Sequence, residues 1–373
     1  MSDTANDYRF MAQALQLAQR GLYTTDPNPS VGCIIVNNDG AVVGQGWHER
    51  AGNPHAEPLA LEQAGEAAKG ATAYVTLEPC SHHGRTPPCA DQLISAGISR
   101  VVYAAEDPNP IVSGAGARKL IAAGIEAIAG VMGDEADELN RGYVHRMRTG
   151  RPWIRSKLAV SIDGRTALEN GVSQWITGAE SRADVHRWRA RSSAVLTGSG
   201  TVLADDPSLN ARPDDIASFV SPVRIVLDSA LRIAPTAKLF SVEGPVLICH
   251  CSDDADKQHA LEAAGAELLA VPAHGPGEVR LEPAMQLLGE RGINDIWLES
   301  GSLLNAGFLN DGLIDELFVY QSGCLLGDKG LGMFAMESLA DMQARPEFVL
   351  SDVRRFGSDL RTIWQPKSIA SAG

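Results

Sequence analysis

The chain has no run of about 18 consecutive apolar residues, so it offers no membrane helix. Its first residues, Met1-Ser2-Asp3-Thr4-Ala5-Asn6-Asp7, put acids where a secretory signal carries basic residues. Positive charge is short throughout: of 373 residues 32 are basic and 46 acidic, a net charge of −14. Up to Gly150 there are 11 basic against 17 acidic residues, a balance of −6; beyond it the figures are 21 and 29, a balance of −8. A nucleic-acid binder needs cationic surface for phosphates, so neither half reads as one. Cysteine is scarce as well. Six in this length do not make a disulfide framework, and they read as core thiols or metal ligands in a reducing, cytoplasmic setting. Repeats and low-complexity segments are missing. Against these absences, 44% apolar and 21% charged residues are the values of a folded protein with a real core. At roughly 150 residues per domain, the length predicts two or three domains.

Apolar residues Phe10, Met11, Ala14, Leu15 and Ala18 have helical spacing, and Gly21 stops the helix. Val31–Val36, the turn Asn37-Asn38-Asp39-Gly40 and Ala41–Gly44 read as a hairpin. Strands at Ala73–Leu77 and Val101–Ala104 then alternate with helices at Ala56–Ala67, Cys89–Ala96 and Ala117–Ala123, which predicts a parallel α/β sandwich. A helical stretch, Glu135–Met147, closes this unit. The basic, Gly- and Pro-bearing segment Arg146–Pro152 marks a boundary, giving domains at 1–148 and 149–373. In the second domain, strands are predicted at Trp153–Val160, Ala194–Thr197, Val223–Asp228, Val246–Cys249, Glu267–Val271, Asp295–Glu299, Glu316–Tyr320 and Asp359–Trp364. Helices are predicted at Glu180–Ala190, Asp254–Ala264, Met285–Gly289 and Leu303–Asn310.

His55-Ala56-Glu57 opens a helix, Glu78-Pro79-Cys80 ends a strand, and Cys89 opens the next helix. One His and two Cys fill three positions of a tetrahedral zinc and leave a fourth for water, the mark of a catalytic site. Zinc lowers the pKa of such a water towards ~7. Glu57, two residues past His55, is placed to move protons without ligating the metal. A closed structural zinc would need a fourth ligand, which His82 or His83 could supply, but Glu57 would then have no role. Cys33 reads as a core thiol of its strand, and Cys249-His250-Cys251 as a core pair with no second metal.

These residues resemble the zinc cytidine/nucleotide deaminase superfamily, whose signature is H-x-E…P-C-x-x-C. Eight residues, Ser81 to Pro88, separate the two cysteines instead of two, and that longer loop resembles the riboflavin-biosynthesis branch. The resemblance implies a deaminase of a diaminopyrimidinone ribosyl phosphate with Glu57 as proton shuttle. It also implies substrate contacts at Asn28, and Arg85 and His48 are further substrate-binding candidates near the same mouth.

The second half carries Gly198-Ser199-Gly200-Thr201 after one strand, Asp228-Ser229 after another and Ser300-Gly301-Ser302 after a third. The first lacks the third glycine of the dinucleotide fingerprint, and no acidic residue follows it at the expected distance. The last ends a strand and opens a helix, an arrangement that suits pyrophosphate. With Ser156–Arg165 and Ser173–Thr177, these pieces resemble the reductase half of the bifunctional riboflavin-biosynthesis enzymes. The resemblance covers nearly the whole chain. It implies a cytidine-deaminase-like α/β/α sandwich followed by a dihydrofolate-reductase-like α/β domain, with Zn2+ at the first site and NADPH at the second. It implies NADPH contacts at Ala159, Trp175, Thr201, Asp205, Ser229 and the stretch Gly301, Ser302, Leu303, Leu304, Asn305, Ala306 and Gly307. The resemblance also implies substrate contacts at Ser173, Arg189, Leu209, Arg212 and Glu299, with Lys157 facing the reacting sugar. Arg232, just past Ser229, is a candidate partner for a 2′-phosphate.

The expected function is therefore deamination of 2,5-diamino-6-ribosylamino-4(3H)-pyrimidinone 5′-phosphate, then NADPH-dependent reduction of the ribosyl group to ribityl. The expected partners are small molecules, with no nucleic acid and no membrane; the resemblance allows a homo-oligomer. Two rivals are a zinc deaminase of nucleic-acid bases, disfavoured by the −6 balance of the first domain, and a non-catalytic zinc scaffold, disfavoured by Glu57.

Overall fold

The computed structural model describes residues 3–81, 87–109, 113–274 and 278–367. Two compact units divide between Gly150 and Arg151.

In the first unit α1 (Asp3–Ala18) is followed by the hairpin β1 (Gly32–Val36) and β2 (Val42–Trp47). Then come α2 (Ala56–Ala64), β3 (Thr72–Leu77), α3 (Cys89–Ser95), β4 (Arg100–Ala105), α4 (Ala115–Ala122), β5 (Glu126–Ala129), α5 (Gly133–Leu139) and α6 (Arg141–Thr149). The sheet order is β2-β1-β3-β4-β5. β1 runs antiparallel to β2 and β3, and β3, β4 and β5 are parallel. All of β1 is buried because the sheet is covered on both faces. Phe10, Met11 and Ala14 of α1 pack with Ala136 on one side; Ala56, Ala60, Leu93 and Leu120 pack on the other. Helix α2 lies so close to β2 that a Cβ on Gly46 would meet the Ala56 carbonyl oxygen at 2.5 Å, and this approach fixes where α2 begins. The single helix expected over Glu135–Met147 is two helices. Asn140 interrupts it, accepting the Ser30 amide (2.7 Å) and donating to the Ser30 carbonyl (3.0 Å).

In the second unit β6 (Trp153–Val160), β7 (Arg165–Ala167), α7 (Ala179–Arg191), β8 (Ala194–Gly198), α8 (Ser199–Asp205) and β9 (Val223–Leu227) come first. Next are β10 (Val246–His250), α9 (Ala255–Ala263), β11 (Ala266–Ala270), β12 (Ala273–His274), β13 (Glu278–Val279) and α10 (Leu281–Glu290). The unit ends with β14 (Asp295–Leu298), α11 (Ser302–Asn310), β15 (Glu316–Gln321), β16 (Leu331–Gly332), β17 (Phe348–Phe356) and β18 (Asp359–Pro366). Nine strands form one sheet in the order β11-β10-β9-β8-β14-β6-β15-β18-β17. It is parallel from β11 to β15 and antiparallel where β18 and β17 finish it. Ile154, Leu196, Ile225, Leu298 and Phe308 belong to its main core cluster. Because the central strands are parallel, the ends of β6, β8, β9 and β14 open on one edge of the sheet, where α/β folds of this kind place their ligands. Among the described residues, no helix is long and apolar enough to cross a membrane.

Candidate active sites

The first site gathers at three junctions between strand or loop and helix. His55 is the extended residue before α2, Cys89 the first residue of α3, and Cys80 lies three residues beyond the end of β3. His55 Nδ1 lies 3.7 Å from Cys80 Sγ and 3.3 Å from Cys89 Sγ, and the three ligand atoms fall within 4.8 Å of one another. Among the described residues this is the one His, Cys, Asp and Glu grouping of metal-site geometry. Cys249 is a buried core thiol and His250 turns its Nδ1 to the Ser252 carbonyl.

The cysteine loop is tied down from below. Glu78, 3% exposed, accepts the amides of Gly114 (2.9 Å) and Ala117 (3.0 Å), and a Cβ on Gly116 would strike the Pro79 carbonyl oxygen at 1.9 Å. The hydrogen bond from Cys89 and those from His55 and the Cys89 amide outweigh burial, so the Cys80 thiol is brought down to about 4. The same bond with Cys80, and burial, push the Cys89 thiol up. Soft sulfurs beside one imidazole fit zinc. Glu57 fits an ion-bound ligand too: its carboxyl is buried and Oε2 has no hydrogen-bond partner among the described residues. Burial pushes this carboxyl up, against the opposing pull of His55.

His48 and Asn28 form a relay beside the ligands. His48 is buried, its ring meets the His55 ring edge-on at 5.4 Å, and burial holds it below the usual histidine range. His48 Nδ1 lies 3.0 Å from the Pro54 carbonyl oxygen, which can only accept, so Nδ1 carries the proton. Nε2 is then the acceptor for Asn28 Nδ2 at 3.0 Å, and Asn28 Oδ1 is left as that amide's remaining acceptor. Both ring nitrogens of His48 are committed, so it supports Asn28 rather than offering a free contact of its own. Arg85, His82 and His83 lie outside the described residues.

The second site lies at the open edge of the nine-stranded sheet. Lys157 and Ala159 alternate with the buried Leu158 and Val160 and so share the other face of β6. Glu299, just past β14, receives Arg189 Nε (2.6 Å), Arg189 Nη2 (2.8 Å) and Trp297 Nε1 (2.8 Å). Burial alone would raise Glu299, but Arg189 and Lys157 bring it down to about 2. Burial lowers Lys157, with Glu299 working against that and Arg189 adding to it. Arg189 gives a third N–H to the Asn210 carbonyl (3.0 Å), so most of its fork is spent inside the chain. Arg212 is exposed, and its guanidinium bonds Asn210 Oδ1 (2.7 Å) and Ser208 Oγ (3.2 Å). Leu209 is 2% exposed, packs with Val185, Val195 and Trp297, and has φ +53, so only its backbone could meet a ligand. Ser173 is partly exposed on the loop that leads to α7.

The nucleotide-facing candidates divide by exposure. Trp175 is 72% exposed, under the Arg182 guanidinium at 4.6 Å, and is no core anchor. Leu303 is 79% exposed, whereas Asn305 and Ala306 are buried. Asn305 accepts the Ser156 hydroxyl (3.0 Å) and donates to the Ser300 carbonyl (2.9 Å), locking α11 to β6. In the Gly301–Gly307 stretch only Gly301 precedes the helix. Thr201 and Asp205 lie on α8, with Asp205 its exposed last residue, and Ser229 Oγ accepts the Val279 amide (3.0 Å). Gly200 and Gly301 look onto open space where any Cβ would stand, and the buried hydroxyls of Thr197 and Ser300 at adjacent strand ends lack partners among the described residues. Open glycine backbone and unpaired buried hydroxyls fit a polyanionic nucleotide.

Sequence reasoning missed His186. It sits one turn before Arg189 on α7, and its Nδ1 accepts the Arg212 amide at 3.3 Å. The signal was the H-x-x-R spacing, which puts both residues on one helical face. It also missed α8, β5 and β17, and the support from Glu78.

The geometry fits a metal centre of catalytic type in the first unit and a nucleotide-binding edge in the second. The comparisons agree. Residues 4–105 match the family model described as the cytidine and deoxycytidylate deaminase zinc-binding region, and residues 152–362 match the RibD C-terminal domain. The chain is 44% identical to riboflavin biosynthesis protein RibD of Haemophilus influenzae over 98% of this chain and 99% of that one. It is 46% identical to RibD of Escherichia coli over 95% and 98%. Among solved structures, Acinetobacter baumannii RibD matches at 42% identity with a TM-score of 0.91, over 98% of this chain and 100% of that one. The Thermotoga maritima diaminohydroxyphosphoribosylaminopyrimidine deaminase/5-amino-6-(5-phosphoribosylamino)uracil reductase matches at 34%, with a TM-score of 0.85 over 98% and 99%. The chain belongs to the RibD family of riboflavin biosynthesis. It is a bifunctional enzyme, hydrolase and oxidoreductase, with a cytidine-deaminase-like unit that takes Zn2+ and a dihydrofolate-reductase-like unit that takes NADPH.

Proposed function

We propose that the two sites act in turn on one pyrimidine ribosyl phosphate: residues 1–148 deaminate 2,5-diamino-6-ribosylamino-4(3H)-pyrimidinone 5′-phosphate, and residues 149–373 reduce its ribosyl group. The observation that carries the deaminase half is the buried Glu57 carboxylate, with one unpartnered oxygen, beside the His55, Cys80 and Cys89 set.

His55, Cys80 and Cys89 would hold the zinc, which when bound acts as a Lewis acid that brings its water towards a pKa of ~7. Glu57 would carry one proton of the water to the ring nitrogen as the hydroxyl adds to the ring carbon, and a second, from that hydroxyl, to the amine, which leaves as ammonia when the C–N bond breaks. Asn28 Oδ1, aimed by the fixed tautomer of His48, accepts a ring N–H of the pyrimidinone. A guanine-like face offers that donor, whereas N3 of cytosine is an acceptor and meets Asn28 with two lone pairs. Arg85 completes the substrate set as a phosphate partner.

NADPH, when bound, supplies the hydride for C1′. Opening of the sugar needs a proton on the ring oxygen. Lys157, whose ammonium gives up its proton more readily because of burial, donates it, and the Glu299 charge acts against that loss. Arg212 takes the phosphate and Arg189 positions Glu299, using its two uncommitted N–H groups towards the substrate. Ser173 and the Leu209 backbone line the same mouth. Trp175, Ala159, Thr201, Asp205, Ser229 and Gly301–Gly307 hold the dinucleotide. The enzyme works in the cytoplasm on small molecules, with no nucleic-acid or membrane partner, and a homo-oligomer is compatible with this chemistry.

The test supplies the diaminopyrimidinone phosphate and NADPH and follows ammonia together with absorbance loss. Ammonia without NADPH oxidation, even on the deaminated substrate, would remove the second half of this reading.

A further inference from the structure

We propose that His186 is a further recognition residue of the reductase unit, its ring Nε2–H donating to the phosphate of the ribosyl substrate beside Arg212. This rests on the reductase reading and adds to it a residue outside the substrate set above.

His186 and Arg189 stand three residues apart on α7 and share one helical face. From that face they hold the segment that runs from Ser208 to Arg212. Arg189 Nη1 donates to the Asn210 carbonyl (3.0 Å), and the Arg212 amide donates to His186 Nδ1 (3.3 Å). Leu209, buried with Val185 of the same helix and at φ +53, adds a third tie. A leucine in that conformation persists only where its surroundings over-determine it, so the segment is set in place before any ligand arrives.

These ties fix the tautomer of the ring. A backbone amide can only donate, so Nδ1 is unprotonated and the proton of the neutral ring sits on Nε2. Burial first, then Arg189 and Arg212, keeps the ring neutral, with Glu299 and Asp214 opposing. Nε2 has no partner among the described residues and is not sealed from solvent. The neighbouring cation is in the same condition. The Arg212 guanidinium uses Nη1 alone, for Asn210 Oδ1 (2.7 Å) and Ser208 Oγ (3.2 Å), and among the described residues it has no carboxylate partner. Its Nε and Nη2 are left, a pair that can grip a phosphate with two parallel bonds. The other charges nearby are already matched: Glu299 receives Arg189 at 2.6 Å, and Arg187, one position off this face, is committed to Asp215 at 2.8 Å. One unpaired cation and one unpaired N–H donor, held side by side, complement an anion; a sugar hydroxyl would leave the charge unmet. The phosphate is the anionic group of this substrate.

The experiment compares reduction of the deaminated substrate with reduction of its dephosphorylated form, by the full-length protein carrying His186→Asn, His186→Gln or Arg187→Ala. An asparagine amide stands where Nδ1 stands and keeps an acceptor for the Arg212 amide, but it does not reach the place of Nε2. The longer glutamine amide reaches that place and keeps the donor. His186→Asn therefore removes one hydrogen bond to a charged group, and the ratio of kcat/KM for phosphorylated over dephosphorylated substrate should fall about ten- to a hundredfold, through KM. His186→Gln should recover part of that ratio, and Arg187→Ala should leave it unchanged. A ratio kept in His186→Asn would show that the ring acts only by holding the Arg212 segment, and equal losses on both substrates would make it structural; either result overturns the proposal. Nitrogen NMR of the unmodified protein reads the ring without any variant. Ribose 5-phosphate should shift the His186 Nε2 resonance and ribose should not, and no shift at saturating ribose 5-phosphate overturns the proposal as well. If the unmodified protein oxidised no NADPH on the deaminated substrate, the reductase reading would fall and the proposal with it; a working reductase with an unshifted ring overturns the proposal alone.

Discussion

In the first unit Glu57 and Cys89 lie out of solvent, at 3% and 1% exposed, with His55 and Cys80 half-buried beside them. In the second, Trp175 and Leu303 stand largely free, and Gly200 and Gly301 face open space. The contrast follows from what each site must enclose. A metal ion and a water are small, so side chains can close around them and the helix starts can converge within a few ångströms. A dinucleotide is longer than any side chain, so the reductase unit keeps an open edge across four parallel strands. The charged centre is partly enclosed in advance, with the Arg189 and Glu299 side chains 13% and 16% exposed.

The contrast breaks most directly at the metal ligands. Cys80→Ser and Cys89→Ser should each release zinc and abolish deamination, as read by metal analysis and ammonia assay, while NADPH oxidation on the deaminated substrate continues. Undiminished zinc in both variants would show that the ion sits elsewhere. Glu57→Gln is the finer cut. It keeps the zinc and the shape but removes the proton carrier, so deamination should fall by about 10²–10⁴-fold with reduction intact. If reduction of the deaminated substrate also disappears in the folded variant, the two sites are not separate.

The same contrast explains what could be read before the fold was known. Zinc draws on a short menu of ligand types, and here one His and two Cys lie at or just beyond strand and helix ends, so three short motifs carried nearly the whole first site. The alternation of strands and helices carried the sheets. What stayed hidden depends on long-range contacts. Asn140 breaks a helix because Ser30, 110 residues away, takes up its amide group. Glu78 looks like part of a cysteine motif, yet its partners Gly114 and Ala117 come from another loop and helix. β17 was missed because its face is largely exposed and therefore lacks apolar alternation. His186 became visible only when the loop bearing Arg212 was seen to fold onto α7.

The buried charges of the second unit give the next largest effect. Glu299→Gln leaves Arg189 and Lys157 facing each other without their shared anion. Removing one partner from a buried ion pair costs on the order of 3–5 kcal/mol. The second unit should therefore unfold at markedly lower urea, while the first unit's transition stays in place. Replacing an exposed pair such as Arg187 with Asp215 should change stability by less than about 1 kcal/mol. Similar losses for the two would mean that the centre is not preorganised by charge.

The smallest effect is a pH dependence confined to the second unit. His186 is brought down from 6.5 to about 4 by burial first, and then by Arg189 and Arg212, with Glu299 and Asp214 opposing. Its Nδ1 is an acceptor for the Arg212 amide, so the folded state prefers the neutral ring. The sign follows from which state binds the proton first. Above pH 6.5 the ring is neutral in both states and costs nothing. As pH falls from 6.5 towards 4 the unfolded chain protonates and the folded chain does not, so folding stability is lost across that window. His186→Gln has no ring to titrate, and its stability should fall less steeply between pH 6.5 and 4 than that of the unmodified protein. Glu299 contributes in a separate window, between 4.5 and about 2, so the difference between the two proteins isolates the histidine. Urea midpoints of the second unit at pH 7.5, 6, 5 and 4.5 measure it. Parallel curves for the two proteins would show that His186 takes up its proton in the folded state as readily as in the unfolded one, and that the Arg212 loop does not depend on its neutral form.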